Sequence, residues 1–159
     1  MIKLIATDID GTLVKDGTLI IDPEYMTVIS KLIDKGIIFT VCSGRQFSSE
    51  QKLFAPIKDK LMYITDGGTV VRTPDRILKT YPMSNELWKD MCRMVRDELP
   101  ACDYFAASPD LCYAEDGASP IFHRLRDSYG FEMREVDDLT KLENDDIIKF
   151  TVYHPDSCE

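Results

Sequence analysis

Three short apolar runs constrain this chain most: residues 2–7 (IKLIAT), 37–42 (IIFTVC) and 61–64 (LMYI). Each has the length of a strand, is rich in β-branched or aromatic residues, and ends in turn residues. A helical signature separates the first two. Asp22-Pro23-Glu24 supplies a capping acid, a proline for the first helical position and an acid for the first turn. Tyr25, Ile29, Leu32 and Ile33 then recur at helical spacing until Lys35-Gly36 ends the run. Residues 46–54 read as a second helix. Wholly apolar strands alternating with helices imply a parallel sheet covered on both faces, an α/β fold.

The remainder is organised differently. Residues 13–21 read as a hairpin turning at Asp16-Gly17. Two extended pieces, 69–72 and 77–81, meet at a turn around Pro74-Asp75. From residue 82 the pattern becomes α+β: Ser84 caps a helix over 85–99, strands are expected at 103–107, 111–114, 131–136 and 146–153, and a helix over 120–129 stops at Gly130. Charge changes at the same place. Residues 1–81 carry 11 Lys+Arg against 10 Asp+Glu, and residues 82–159 carry 8 against 18. Two domains are therefore expected, 1–81 and 82–159. The acidic second half argues against nucleic acid or an anionic membrane as partner. No apolar run approaches the ~20 residues that span a bilayer. The first residues enter a strand without a secretory pattern, so a cytoplasmic location is expected. The five cysteines (42, 92, 102, 112 and 158) are odd in number and form no Cys-x-x-Cys pair, which argues against a zinc site or disulfide framework. Cys42 is expected in the core, as are Tyr104, Phe105 and Tyr113. His123 and His154 stand apart from other ligand-type residues.

Chemistry concentrates at Asp8-Ile9-Asp10-Gly11-Thr12, directly after the first apolar run. Two carboxylates spaced i, i+2 point to one side of an extended segment. They lie at the carboxyl end of a strand, where α/β sheets place their sites. Carboxylates that close repel unless a cation compensates, and a hard divalent ion such as Mg²⁺ suits them. The second apolar strand closes with Ser43-Gly44-Arg45, and the third with Thr65-Asp66-Gly67-Gly68.

These residues resemble the haloacid dehalogenase-like hydrolase superfamily. The match is its Asp-x-Asp-Gly-Thr first motif, with Ser43 as the second-motif hydroxyl. The Ser-Gly-Arg form and the Asp66-Gly67-Gly68 turn are similar to its Cof-type branch. The resemblance implies a Rossmann-like parallel core, of which three strands are present, and an inserted α+β cap, both incomplete. It implies a Mg²⁺-dependent phosphatase acting on a small phosphorylated metabolite such as a sugar phosphate. Asp8 would be the nucleophile and Asp10 the general acid and base. Asp8 and Asp10 would hold Mg²⁺. Ser43, Gly44, Arg45, Gly11 and Thr12 would contact phosphate, with the N–H groups of Gly11 and Gly44 as donors.

The family's third-motif lysine and fourth, acidic motif have no counterpart here. Asp145-Asp146 precedes a strand, and Lys149 lies inside one. The expectation is a chain that stops within its cap, weakly active or inactive alone. Its first strand would then be an open apolar edge through which two copies could associate. Two rival classes stay open: a non-catalytic remnant, and a phospho-receiver domain with Asp66 as its acceptor.

Overall fold

The computed structural model describes residues 2–15, 19–143 and 146–156. Asp16 and Gly17 of the expected hairpin turn, Asp145 and Cys158 lie outside the described residues. The chain divides into two units, Met1–Thr80 and Tyr81–Glu159.

The first unit is built on a five-stranded sheet in the order β1 (Leu4–Asp8), β2 (Ile38–Cys42), β3 (Met62–Thr65), β4 (Val70–Arg72), β5 (Ile77–Thr80). β1, β2 and β3 are parallel, with Asp8 opposite Cys42 and Cys42 opposite Ile64. Helices α1 (Pro23–Asp34) and α2 (Phe47–Leu53) make the two crossovers. Local chemistry sets their ends. The Asp22 carboxylate accepts the Glu24 N–H at 2.8 Å, and Gly36 takes the left-handed φ of 79° just beyond α1. β4 and β5 join antiparallel, so the sheet is mixed rather than wholly parallel. Asp66, Gly67 and Gly68 all have positive φ (54°, 75° and 97°). That reverses the chain at once, where a further parallel strand would need a long crossover.

Ile29 of α1 and Phe47 and Leu53 of α2 pack with Phe39, Val41 and Tyr63 of the sheet. β1 contributes Ile5 to this core but remains an edge. Leu4 is 52% exposed and Ile2 66%. Burial along β1 alternates, so only one of its faces is covered.

The second unit pairs a four-stranded sheet with helices on both faces. The sheet order is β8 (Met133–Glu135), β7 (Cys112–Ala114), β6 (Asp103–Ala107), β9 (Lys149–Tyr153). Helix α3 (Asn85–Glu98) starts at Ser84, whose hydroxyl accepts the Leu87 N–H at 3.2 Å. Helix α4 (Pro120–His123) widens into a π-type segment, Arg124–Tyr129, that ends at left-handed Gly130. Successive residues of β6 alternate between two cores. Ala106 packs with Trp88, Cys92, Tyr113 and Leu139 on the α3 side, and Phe105 and Ala107 pack with Phe122 and Phe131 on the α4 side. Tyr104 stacks on Phe150, so all three aromatics expected inside are in these cores. Cys92 and Cys112 are buried in different clusters, neither in a disulfide among the described residues.

Trp88 is fully buried and is the largest side chain of the α3-side core. Trp88→Ala is expected to destabilise the protein by about 3–5 kcal/mol. Urea unfolding followed by circular dichroism measures it, and a cost below about 1 kcal/mol would show that this core repacks freely.

Candidate active site

The site begins with Ile9, which is wholly buried between two outward-facing aspartates. Its carbonyl accepts the N–H groups of Thr12, Leu13 and Val14 at 3.2, 2.9 and 3.0 Å. Gly11, at φ 80°, makes this tight turn possible. Asp8 and Asp10 are thus fixed on either side of a core anchor, at the carboxyl end of β1.

Their surroundings differ. One Asp8 oxygen, Oδ2, accepts the Thr12 hydroxyl at 3.0 Å. Asp10 is gripped. Arg45 donates to it through Nε at 3.0 Å and Nη2 at 2.6 Å, and the Ser43 hydroxyl donates at 3.2 Å. Two parallel N–H bonds to one carboxylate are among the strongest polar contacts available. The Arg45 guanidinium, first, and Ser43 outweigh desolvation and hold the Asp10 carboxyl below the usual aspartate value.

The loop carrying Ser43 and Arg45 is itself held by the end of β3. Ser43 N–H donates to Ile64 O at 3.0 Å, Gly67 N–H to Ser43 O at 3.0 Å, and Asp66 N–H to Arg45 O at 2.9 Å. The Asp66-Gly67-Gly68 turn therefore braces the second motif. The Asp66 side chain is buried and accepts the Thr65 hydroxyl at 2.8 Å, which withdraws it from solvent.

An open cleft of about 330 Å³ lies here, lined by Asp8, Cys42, Ser43, Gly44, Gly67 and Gly68 among others. Of the residues expected at the site, Asp8, Ser43 and Gly44 face this cleft. Asp10 and Arg45 face each other instead. Thr12 holds Asp8. The Gly11 N–H, expected as a phosphate donor, is spent on Val14 O at 2.8 Å. Cys42, expected in the core, is half-buried beside Asp8. Burial first, then the charges of Glu50 and Asp8, push its thiol up and keep it protonated, which suits it poorly as a nucleophile.

Sequence reasoning missed Glu50. It is fully buried on α2, and neither carboxyl oxygen has a hydrogen-bond partner among the described residues. Desolvation, then Asp66, pushes its pKa up to about 10 against a partial pull from Arg45. The signal was available: Phe47, Glu50, Leu53 and Phe54 share one helical stripe, and an acid on an apolar stripe is a misfit.

The donors also bear on a cation. No cluster of three His, Cys, Asp or Glu side chains is found among the described residues. What the chain offers is a pair of hard oxygens that accept no backbone or side-chain hydrogen bond among the described residues: Asp8 Oδ1 and the Asp10 carbonyl. Such a pair fits an ion that keeps most of its own water, as Mg²⁺ does.

Comparisons with known proteins agree in kind. A family model described as haloacid dehalogenase-like hydrolase matches residues 5–158. The Escherichia coli 5-amino-6-(5-phospho-D-ribitylamino)uracil phosphatase YbjI is 27% identical over 147 residues, which is 90% of this chain and 52% of that protein. The chain thus spans about half the length of this curated relative. A crystal structure from Eubacterium rectale is 82% identical with a TM-score of 0.86, covering 99% of this chain and 59% of the other. The subclass IIB sugar phosphatase BT4131 is 16% identical with a TM-score of 0.73, a likeness of fold, covering 94% of this chain and 58% of that one.

Two titrations follow from the geometry. Arg45→Met is expected to raise the Asp10 pKa toward the ordinary 3.8, read by carboxyl ¹³C NMR; an unmoved Asp10 would show the guanidinium is not its main partner. A lowered folded pKa means that the stabilisation is present above 3.8 and is lost as pH falls through the folded value. Glu50 has the opposite sign. Its protonated form stabilises fully below 4.5, and that contribution is lost as pH rises toward about 10. Glu50→Gln is therefore expected to gain stability relative to the wild type as pH rises from 5 to 9. Paired urea titrations give the difference, and a pH-independent one would mean that Glu50 is ionised in the folded state.

Proposed function

The chain belongs to the haloacid dehalogenase-like hydrolase family, and from that premise we propose that its first unit carries a phosphomonoesterase centre with Asp8 as nucleophile. One observation supports this most: Asp8 faces the open cleft with an uncommitted oxygen, whereas Asp10 is pinned by Arg45 and Ser43. Equivalent carboxylates would not be sorted in this way.

In the first step an Asp8 oxygen attacks phosphorus, forming an O–P bond as the ester P–O bond breaks. The leaving alkoxide takes a proton from the Asp10 carboxyl. In the second step Asp10 removes a proton from water, whose oxygen attacks phosphorus. Phosphate departs and Asp8 is restored. Asp10 can carry a proton only if Arg45 and Ser43 release it. A phosphoryl group competes for those same donors, so phosphate binding would itself raise the Asp10 pKa. Asp8 and the Asp10 carbonyl would hold Mg²⁺, which when bound offsets the repulsion between an anionic nucleophile and a phosphate dianion. Ser43 and the Gly44 backbone are the phosphate contacts of this reading.

The second unit is read as the cap that sets specificity. YbjI is named for a phosphate on a ribityl chain and BT4131 as a sugar phosphatase. A sugar or polyol phosphomonoester is therefore the proposed substrate class, with Mg²⁺ as cofactor and the cytoplasm as location. A second copy could pair along the open edge of β1. No helix among the described residues is long and apolar enough to cross a membrane.

Acetyl phosphate with Mg²⁺, followed by mapping of the acyl phosphate, tests the reading. The label is expected on Asp8 and absent from Asp8→Asn. Label on Asp66 would point to a receiver instead, although burial of Asp66 argues against that. With p-nitrophenyl phosphate, Asp8→Asn is expected to lower any turnover by about 10⁶-fold, the scale seen when a covalent nucleophile is lost.

A further inference from the structure

The second unit holds a cavity of about 270 Å³ that the phosphatase reading does not use. It lies where the start of β6, the end of β7 and the start of α4 meet. Its floor is apolar: Phe105, Ala114 and Phe122 are buried there in one cluster, with Met133 packed against them. Its polar wall is acidic, contributed by Asp103, Glu115 and Asp116, and no Lys or Arg lines it among the described residues.

The three carboxylates are not equivalent. Glu115 is satisfied, accepting from Arg96 at 2.6 Å, Tyr104 at 2.6 Å and the Leu139 N–H at 2.6 Å. Among the described residues the Asp116 side chain bonds only its own turn, through the Ala118 N–H at 2.9 Å. The Asp103 side chain is half-buried and makes no hydrogen bond or ion pair among the described residues. Burial, and then Asp116, push its carboxyl up. Ser119 completes the wall. It is 6% exposed, and its oxygen accepts the Phe122 N–H at 3.2 Å. The hydroxyl proton has no acceptor among the described residues, so a buried donor is left for something in the cavity.

We propose that this cavity binds a small organic ammonium ion, its apolar body on Phe105, Ala114 and Phe122 and its charged head between Asp103 and Asp116. An apolar pocket with a few convergent polar groups is the usual form of a small-molecule site, and this volume is near the lower end of the range. Asp103 and Asp116 line one cavity, close enough for the charge of Asp116 to act on Asp103, and with no Lys or Arg in the lining among the described residues they supply the sign. Anions are repelled by the same pair, and a neutral alcohol leaves both carboxylates uncompensated. Nothing in this assignment depends on chemistry at Asp8.

The test is an amide-resolved NMR titration of the 159-residue chain at pH 7 with n-butylammonium, using n-butanol, butyrate and potassium chloride as controls. Saturable shifts confined to Phe105, Ala114, Ser119 and Phe122 are expected for n-butylammonium alone, with a Kd on the order of millimolar for so few heavy atoms. Asp103→Asn is expected to weaken binding by roughly tenfold, the effect of removing one charged partner. Asp116→Asn is expected to weaken it less, and both variants keep an uncharged isostere that preserves the fold. Equal affinity for n-butanol would overturn the charge assignment. Butyrate binding would reverse it. Absence of saturation, or unchanged affinity in both variants, would remove the site.

Discussion

The Arg45–Asp10 pair is the interaction on which the first unit's site depends. A guanidinium that is 6% exposed cannot be left without a counter-charge. Its partner sits 35 residues earlier in the chain, on the turn after β1. Satisfying Arg45 therefore ties the ends of two adjacent strands together through side chains. The backbone reinforces the tie, because the Asp66 N–H caps the Arg45 carbonyl and the Gly67 N–H caps that of Ser43. Three strand ends become one rigid rim, and the price of burying Arg45 is met by the order it imposes there.

That rim holds more negative charge than positive. Asp10, Glu50 and Asp66 lie near Arg45, and Asp8 lines the cleft beside them. Depth decides which acids stay ionised. Asp10, 36% exposed and doubly bonded to Arg45, stays anionic, whereas Glu50, with no exposure and no hydrogen bond, takes up a proton. Arg72 packs its guanidinium 3.6 Å over the Phe47 ring, which adds an aromatic face to its polar partners. The result is one carboxylate that faces the cleft, Asp8, beside one that is clamped by Arg45. A pair of similar acids with opposed environments is a common basis for dividing nucleophile from acid–base roles.

What was legible in the sequence was whatever depends on neighbours a few residues apart. Asp22, Ser84 and Gly130 mark helix ends because capping bonds span two or three residues. The parallel order of β1, β2 and β3 followed from apolar runs alternating with helices. Asp8, Ser43 and Gly44 could be placed at a cleft because strand ends collect there. Apart from Glu50, whose helical stripe was legible, what the sequence left unread is long-range. β4 and β5 read as extended pieces, but their antiparallel pairing to β3 is decided by three consecutive left-handed residues, one of them the non-glycine Asp66. The grip of Arg45 on Asp10 spans 35 positions and leaves no local trace. The Gly11 N–H was assigned to phosphate because the tight closure onto Val14 depends on Ile9 anchoring the turn. The helix expected over 120–129 was sound in extent, but after His123 it widens into a π-type segment, whose Leu125 and Tyr129 pack against the cluster that holds Phe131.

The strand that carries Asp8 is an edge of the five-stranded sheet. Among the described residues β1 is hydrogen-bonded on one side, to β2, and it exposes Leu4 on its uncovered face. Asp8 is therefore fixed by three things: its register opposite Cys42, the Ile9 anchor immediately after it, and the Thr12 hydroxyl. A strand bonded along one edge opens more readily than an interior one, since half of its backbone groups face solvent. Anything that pairs with the free edge would restrain Asp8 from the second side without touching the cleft. Association along β1 and precision at Asp8 are in this way one mechanical problem, and the Arg45 clamp on Asp10 addresses only the half of it that lies beyond Ile9.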